Sequence, residues 1–367
     1  GKKIIWNAFF LALVFGLTLY GVFHGEDLGA MMDAIREADI RWLVPCVALV
    51  LFFIWGESII LWHMLTSYGI RTRKRSCFLF SSAGFFFSCI TPSASGGQPM
   101  QVYYMKKEKI PVPVAAVILM VVTITYKLVL VVIGLGILIF GGGIVLFGRG
   151  FMHRYLEGIL PVFWLGILLN VFCVAFMTVL VFCPALTESI LQKGLAWLER
   201  MHFLRRREQR ARKLGKSMEA YQDTALYLKE HKFVIIRVML ITCLQRLALF
   251  SVMGLVYLAF GRQGTPLWDV VLLQAVISVS VDMLPLPGGM GISEALFMNI
   301  FAPVFGTVLL PAMVLSRGLG YYGELLISAF FTVVAQLYYT FRREDRGKAA
   351  AGEPEQQTGA DGFRGTD

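Results

Sequence analysis

Charged side chains inside apolar segments are the first candidates for chemistry. Lys127 in ITYKLVL, Arg246 in LQRLALF, Arg317 in LSRGLGYY, Asp282 in SVDMLPL and Glu294 in GISEALF all stand in or beside long apolar stretches. Inserting such a charge into a bilayer costs about 2.5–3.5 kcal/mol, so each is expected to face a cavity or a partner. Two of the apolar stretches are also broken, at TPSASGGQP and at DMLPLPGGMGISEA. A half-helix that starts at such a break leaves its first N–H groups unpaired and carries a partial positive charge at that end. Glycine at the tip lets backbone approach a ligand closely. The two tips are Gly96-Gly97 and Gly288-Gly289, with Pro287 beside the second and Ser93, Ser95 and Gln98 supplying neutral donors and acceptors in the first. Together these residues are expected to bind an anion, with Asp282 and Glu294 as carriers of a substrate or proton role. The competing reading makes Lys127, Arg246 and Arg317 structural ion-pair partners of Asp282, Glu294, Glu57 or Glu324. Tyr126 and the Tyr321-Tyr322 pair read as packing residues.

The same scan finds no nucleophile with a matching base, no G-x-x-x-x-G-K phosphate loop and no cluster of metal ligands. The six cysteines lack C-x-x-C spacing and neighbouring histidines, and read as packing residues. No catalytic residue, metal or cofactor is expected.

The elements that position these residues follow from composition. Of 367 residues 57% are hydrophobic and 16% charged, and the mean hydropathy is +0.68. Soluble domains carry about 25% charged residues. Apolar runs of about 20 residues recur, each enough to cross a hydrocarbon core of roughly 30 Å. Spans are expected at about Ile4–Phe23, Trp42–Met64, Val112–Phe140, Leu160–Phe182, Phe233–Phe260 and Val308–Phe341. The segments 77–105 and 268–303 are too short or too broken to cross, and read as re-entrant hairpins, whose irregular backbone is tolerated at membrane depth only beside protein or a wet cavity. Arg71–Arg75, Lys106–Lys109 and the basic stretch 184–232 all then fall on one side, the cytoplasmic one. The net charge of +10 thus belongs to loops facing an anionic leaflet. With few aromatics among the charges, nucleic acid is not an expected partner.

The order span, span, broken hairpin, span occurs twice. Three crossings per half invert the second relative to the first, the inverted-topology repeat of many transporters. A cation follows each Gly-Gly tip by about 30 residues, Lys127 in one half and Arg317 in the other. The expected architecture is an all-α integral membrane protein of about six transmembrane helices plus two re-entrant helical hairpins. A first repeat would cover 1–150, a second 151–343, and a disordered cytoplasmic tail 344–367. Both termini would lie in the cytoplasm, beneath a cell (inner) membrane. At 1.5 Å per residue, Lys127, Arg246 and Arg317 all sit at middle depth, roughly 15–20 Å along their helices.

The motifs TPSASGGQPMQVYYMKK and LPLPGGMGISEA, with Lys127 and Arg317 in the spans that follow, resemble the transmembrane flippase domain of the lysyl-phosphatidylglycerol synthase/flippase family over roughly Ile4 to Phe341. The resemblance implies translocation of a phospholipid or lipid-linked head group between leaflets, lysyl-phosphatidylglycerol in some members. Gln98 stands where that family usually has Glu, and Lys127 where Arg is usual; the soluble aminoacyl-transferase domain of two-function members has no counterpart after Phe341. A membrane phospholipid is the expected partner, with a homo-oligomer and a separate lipid-modifying enzyme left open. The rival functions are a proton-coupled secondary transporter of a small anion and a membrane-embedded lipid-modifying transferase.

Overall fold

The computed structural model describes residues 28–91, 94–141, 157–183, 186–190, 192–193, 207–284 and 291–351. The expected first span, Ile4–Phe23, lies outside them. Every regular element described is helical. A short amphipathic helix, α1 (Leu28–Glu37), leads into α2 (Ile40–Ser67), and Asp39 caps α2 by accepting from Arg41 N at 2.9 Å. Two shorter helices follow, α3 (Lys74–Ile90) and α4 (Gly97–Lys107), then the long α5 (Val112–Gly141) and α6 (Leu160–Phe182). Beyond them come α7 (Arg207–Glu230), α8 (Lys232–Ala259), and a second pair of shorter helices, α9 (Leu267–Val281) and α10 (Ile292–Phe305). The chain closes with α11 (Leu309–Arg317) and α12 (Gly323–Ala351).

Five helical runs among the described residues are apolar and long enough to cross a membrane: Ile40–Ser67, Val112–Phe140, Leu160–Phe182, Lys232–Ala259 and Ile292–Tyr339. The paired helices at the breaks are shorter. At 17 and 11 residues, α3 and α4 rise about 25 and 16 Å, less than the roughly 30 Å of a hydrocarbon core. At the end of α3 the chain meets Thr91-Pro92, and the residue before a proline is pushed out of helical conformation. At the start of α10, Gly291 adopts a φ of 85°, which glycine reaches without strain.

Over Val308–Phe341, where one span is expected, the chain is not one continuous α-helix. It is two α-helices joined by a π-helical turn, Gly318–Tyr322. Two poor helix formers, Gly318 and Gly320, sit in that turn, and such widened turns often mark functional positions. Helix α12 also continues past Arg342 and Arg343 to Ala351. The basic stretch contains structure too. In α7, Met218, Tyr221, Ala225 and Leu228 are buried at helical spacing. Two phenols tie this helix to the spans, Tyr221 donating to Leu180 O at 3.0 Å and Tyr227 to Ser67 O at 2.5 Å.

Contacts between helices come in matched pairs. Within the first set, α2 packs on α3, α3 on α4, and α4 and α2 on α5; within the second, α8 packs on α9, α9 on α10, and α10 and α8 on α11. Between the sets, α3 lies on α12 as α9 lies on α5, and α2 crosses α8 in the most extensive contact of all. Close approach needs glycine at these seams. A Cβ on Gly97 would collide with Ser88 Oγ and lie 2.7 Å from Gly84 O, and one on Gly166 of α6 would collide with the backbone of Val279 in α9.

The apolar core is divided along α5. Its early residues, Ile118 to Val122, join a cluster with Ile60, Phe80 and Tyr104. Its late residues, Leu130 and Ile137, join another with Phe163, Phe301 and Phe305. Thr123, Tyr126 and Lys127 fall between the two, and there the packing opens.

Candidate functional site

The opening is a cavity of about 560 Å³. On one side it is lined by Ser95, Gly97 and Gln98 around the start of α4, and on the other by Asp282 at the end of α9 and Glu294 in the first turn of α10. Lys127 and Arg246 reach it from the long helices α5 and α8, and Arg317 from the end of the short α11. Gly96 lies just behind, its N–H donating to Thr91 Oγ1 at 2.9 Å. Ser93, Pro287, Gly288 and Gly289 fall outside the described residues.

Lys127, only 8% exposed, forms an ion pair with Asp282, and the neighbouring Tyr126 hydroxyl donates to the same carboxylate. Helix α5 therefore grips the end of α9 with two successive side chains. Arg317 pairs with Glu294, its Nε at 2.8 Å and a terminal nitrogen at 2.7 Å from Glu294 Oε1. The second oxygen of Glu294 accepts from Gly291 N at 2.6 Å, so this carboxylate also caps α10. Arg246 faces two carboxyl groups, Glu57 on α2 and Glu324 on α12. Its guanidinium lies 3.7 Å from the Tyr126 ring centroid and 4.8 Å from that of Phe53, cation–π distances. Arg246 Nε is buried without a hydrogen-bond partner.

Three residues outside the candidate set shape the site. Tyr126, expected as packing, is both a platform for Arg246 and a donor to Asp282. Glu57 and Glu324 line the cavity as well as facing Arg246. Glu324 is also reached by Cys89 Sγ at 3.7 Å, and Tyr321 donates to Cys89 O at 2.8 Å, so the end of α3 is fastened to the start of α12. The signal for the two glutamates was their charge within apolar segments; the signal for Tyr126 was its place beside Lys127.

The cavity therefore holds three cations against four carboxyl groups, Glu57, Asp282, Glu294 and Glu324, with Leu130, Phe250 and Phe297 among its apolar walls. Mixed charges in contact with apolar surface can exchange internal ion pairs for pairs with an amphiphilic ligand. No group of three or more His, Cys, Asp or Glu able to hold a metal occurs among the described residues.

Residues 4–328 match a family described as the lysylphosphatidylglycerol synthase TM region, and no curated protein matches the chain. Apolar helices long enough to span and a family match over most of its length make this a multi-pass membrane protein. The chain belongs to the lysylphosphatidylglycerol synthase transmembrane-region family.

Proposed function

We propose that this protein is a transporter that moves the head group of a phospholipid between leaflets through the mid-depth cavity. One observation carries the reading: at the middle of α5 a cavity of about 560 Å³ collects exchangeable ion pairs beside apolar walls. That volume is in the range of ligand sites, about 300–1,000 Å³. A lipid phosphate competes with Asp282 and Glu294 for the cations, and an amine on the head group competes for the carboxylates. Lysyl-phosphatidylglycerol and simpler zwitterionic or anionic lipids all meet that pattern.

The matched helix contacts support an inverted repeat in which the helix pairs α3–α4 and α9–α10 enter from opposite faces without crossing. Rocking one half against the other then exposes the cavity to each leaflet in turn. In this arrangement both termini and the basic helix α7 lie on the cytoplasmic side of the cell membrane. The proposed role is transport rather than catalysis.

The test is leaflet exchange of fluorescent phosphatidylglycerol, phosphatidylethanolamine and lysyl-phosphatidylglycerol in vesicles with the purified protein. Exchange faster than in protein-free vesicles is expected for at least one lipid, and its loss in Lys127→Ala and Arg317→Ala. No acceleration with any of the three, or full exchange in both variants, sinks the proposal. Phosphate uptake without lipid exchange would instead favour the soluble-anion transporter.

A further inference from the structure

The two short-helix pairs place a helix start at the cavity in the same way, yet the two starts are chemically different. At the start of α10 the chain supplies its own anion. Glu294 accepts from Gly291 N and is held by Arg317, so both the partial positive charge of the helix end and the nearby cation are already satisfied. At the start of α4 there is no acidic residue in the first turn and no side-chain cap. The second residue of that helix is Gln98, whose amide donates to Thr123 Oγ1. Thr123 stands one turn before Lys127 on α5, and side chains four apart on a helix are neighbours, with Cβ atoms about 5–6 Å apart. The amide of Gln98 therefore lies beside Lys127, and it keeps a second N–H beyond the one given to Thr123.

The ends of the preceding helices differ in the same sense. Asp282 follows α9, whereas Thr91 follows α3 and spends its hydroxyl on Gly96 N and Phe87 O. One half thus carries two carboxylates at its break, and the other carries none among the described residues. Arg317 finds its partner inside its own half. Lys127 does not, and crosses to Asp282.

Resting on the transport reading above, we infer that the lipid phosphate is taken at the start of α4, by Lys127, the Gln98 amide and the first-turn N–H groups, displacing Asp282 as the internal stand-in. The Arg317–Glu294 pair is the closed counterpart. Its carboxylate is held at both oxygens, by Gly291 N–H and by Arg317, and gives up its cation less readily than Asp282 does. The shared chemistry is that of a phosphate monoanion, which a phosphodiester lipid or free inorganic phosphate supplies.

The experiment counts ligand bound to the purified full chain in detergent by native mass spectrometry, with phosphatidylglycerol in one arm and inorganic phosphate in the other. Gln98→Glu puts a carboxylate at the α4 start within reach of Lys127, and is expected to weaken phosphatidylglycerol binding by about tenfold or more through like-charge repulsion. Gln98→Ala adds no charge and is expected to stay within about threefold of the parent, which separates repulsion from misfolding. Asp282→Asn removes the competitor and is expected to tighten binding. Glu294→Gln opens the α10 start, and is expected to admit a second bound lipid. Equal binding by Gln98→Glu and the parent, or no bound lipid or phosphate on the parent, overturns the assignment. Phosphate bound without lipid supports the subsite and overturns its lipid source. Lipid bound in the expected order but without leaflet exchange supports the subsite and overturns the transport reading alone.

Discussion

Arg317 pairs with a carboxylate 23 residues away in the chain, whereas Lys127 pairs with one 155 residues away. In the proposed inverted repeat the two cations hold matching places in their halves, so the difference comes from what surrounds the breaks rather than from the spans. With Gln98 and Thr91 neutral and Glu294 and Asp282 acidic, the first half lends its cation to the second. That loan ties α5 to α9, across the seam between the halves, while the Arg317 pair stays within one of them. Under the proposed transport, rocking one half against the other remakes contacts at such seams, and the cross-half ion pair is one that an incoming ligand would release.

Arg246 gives the strongest test, because it stands between the halves and faces a carboxyl from each side, Glu57 on α2 and Glu324 on α12. Arg246→Ala leaves the two facing each other without a cation. Removing one partner of a buried charge cluster costs about 3–5 kcal/mol, and two stranded carboxyls put this variant at about the upper end. Thermal unfolding in detergent is expected to show the largest loss of any single change considered, with partial recovery in Arg246→Ala/Glu324→Gln. An unchanged melting temperature would mean that the halves are joined by packing alone.

The next test separates the two ion pairs. Lys127→Met strands Asp282, whose side chain is 12% exposed and keeps only the Tyr126 hydroxyl, for an expected loss of about 3 kcal/mol. Arg317→Met strands Glu294, which keeps the Gly291 N–H; the Arg317 side chain is also more exposed, at 21%. Roughly 1–2 kcal/mol is expected there. Lys127→Met/Asp282→Leu, which removes both charges, is expected to recover most of the first loss. If Arg317→Met proves the more damaging, the cross-half pair is not the one that holds this conformation.

Much of this architecture could be read from the residues. Helix α6 has the boundaries expected of the fourth span, and α2, α5 and α8 match theirs within a few residues, because an apolar run flanked by charge has little freedom in where it ends. The breaks at Gly96-Gly97 and ahead of Gly291 were visible for the same reason, and Lys127, Arg246 and Arg317 stood out as charges within apolar segments. The four carboxyl groups were legible as a set of partners, but not which of them meets which cation. Which carboxylate meets Lys127 depends on α5 packing against α9, and neither periodicity nor charge placement encodes that contact. Tyr126 was hidden because an aromatic residue in an apolar helix looks the same whether it fills a core or supports a guanidinium. The helix in the basic stretch was obscured by charge: among its described side chains five buried positions, Met218, Tyr221, Thr224, Ala225 and Leu228, carry its packing against the spans, and many basic residues surround them in the sequence.

The smallest of the three effects concerns packing and asks whether the difference between the halves stops at charge. Gly97 presses against α3 in the first half, and Gly166 presses against α9 in the second. Gly97→Ala would force Ser88 and the Gly84 carbonyl to move. Gly166→Ala would put a methyl group into the Val279–Ser280 backbone, where Asn170 Nδ2 also bonds Gly166 O at 2.9 Å. Forcing a methyl into such a contact costs about 1–3 kcal/mol, more where backbone rather than a side chain must yield. Gly166→Ala is therefore expected to lower the melting temperature more than Gly97→Ala, because the tightest contact of Gly97 is a hydroxyl that can rotate, with one backbone oxygen at 2.7 Å, whereas every close contact of Gly166 is backbone, the nearest being Val279 O. Comparable losses in both would mean that the halves share a packing plan and differ in charge alone. A neutral Gly166→Ala would place the flexible seam at α6 and α9, on the same helix that carries Asp282, and would make release of the Lys127 pair a motion of α9 rather than of α5.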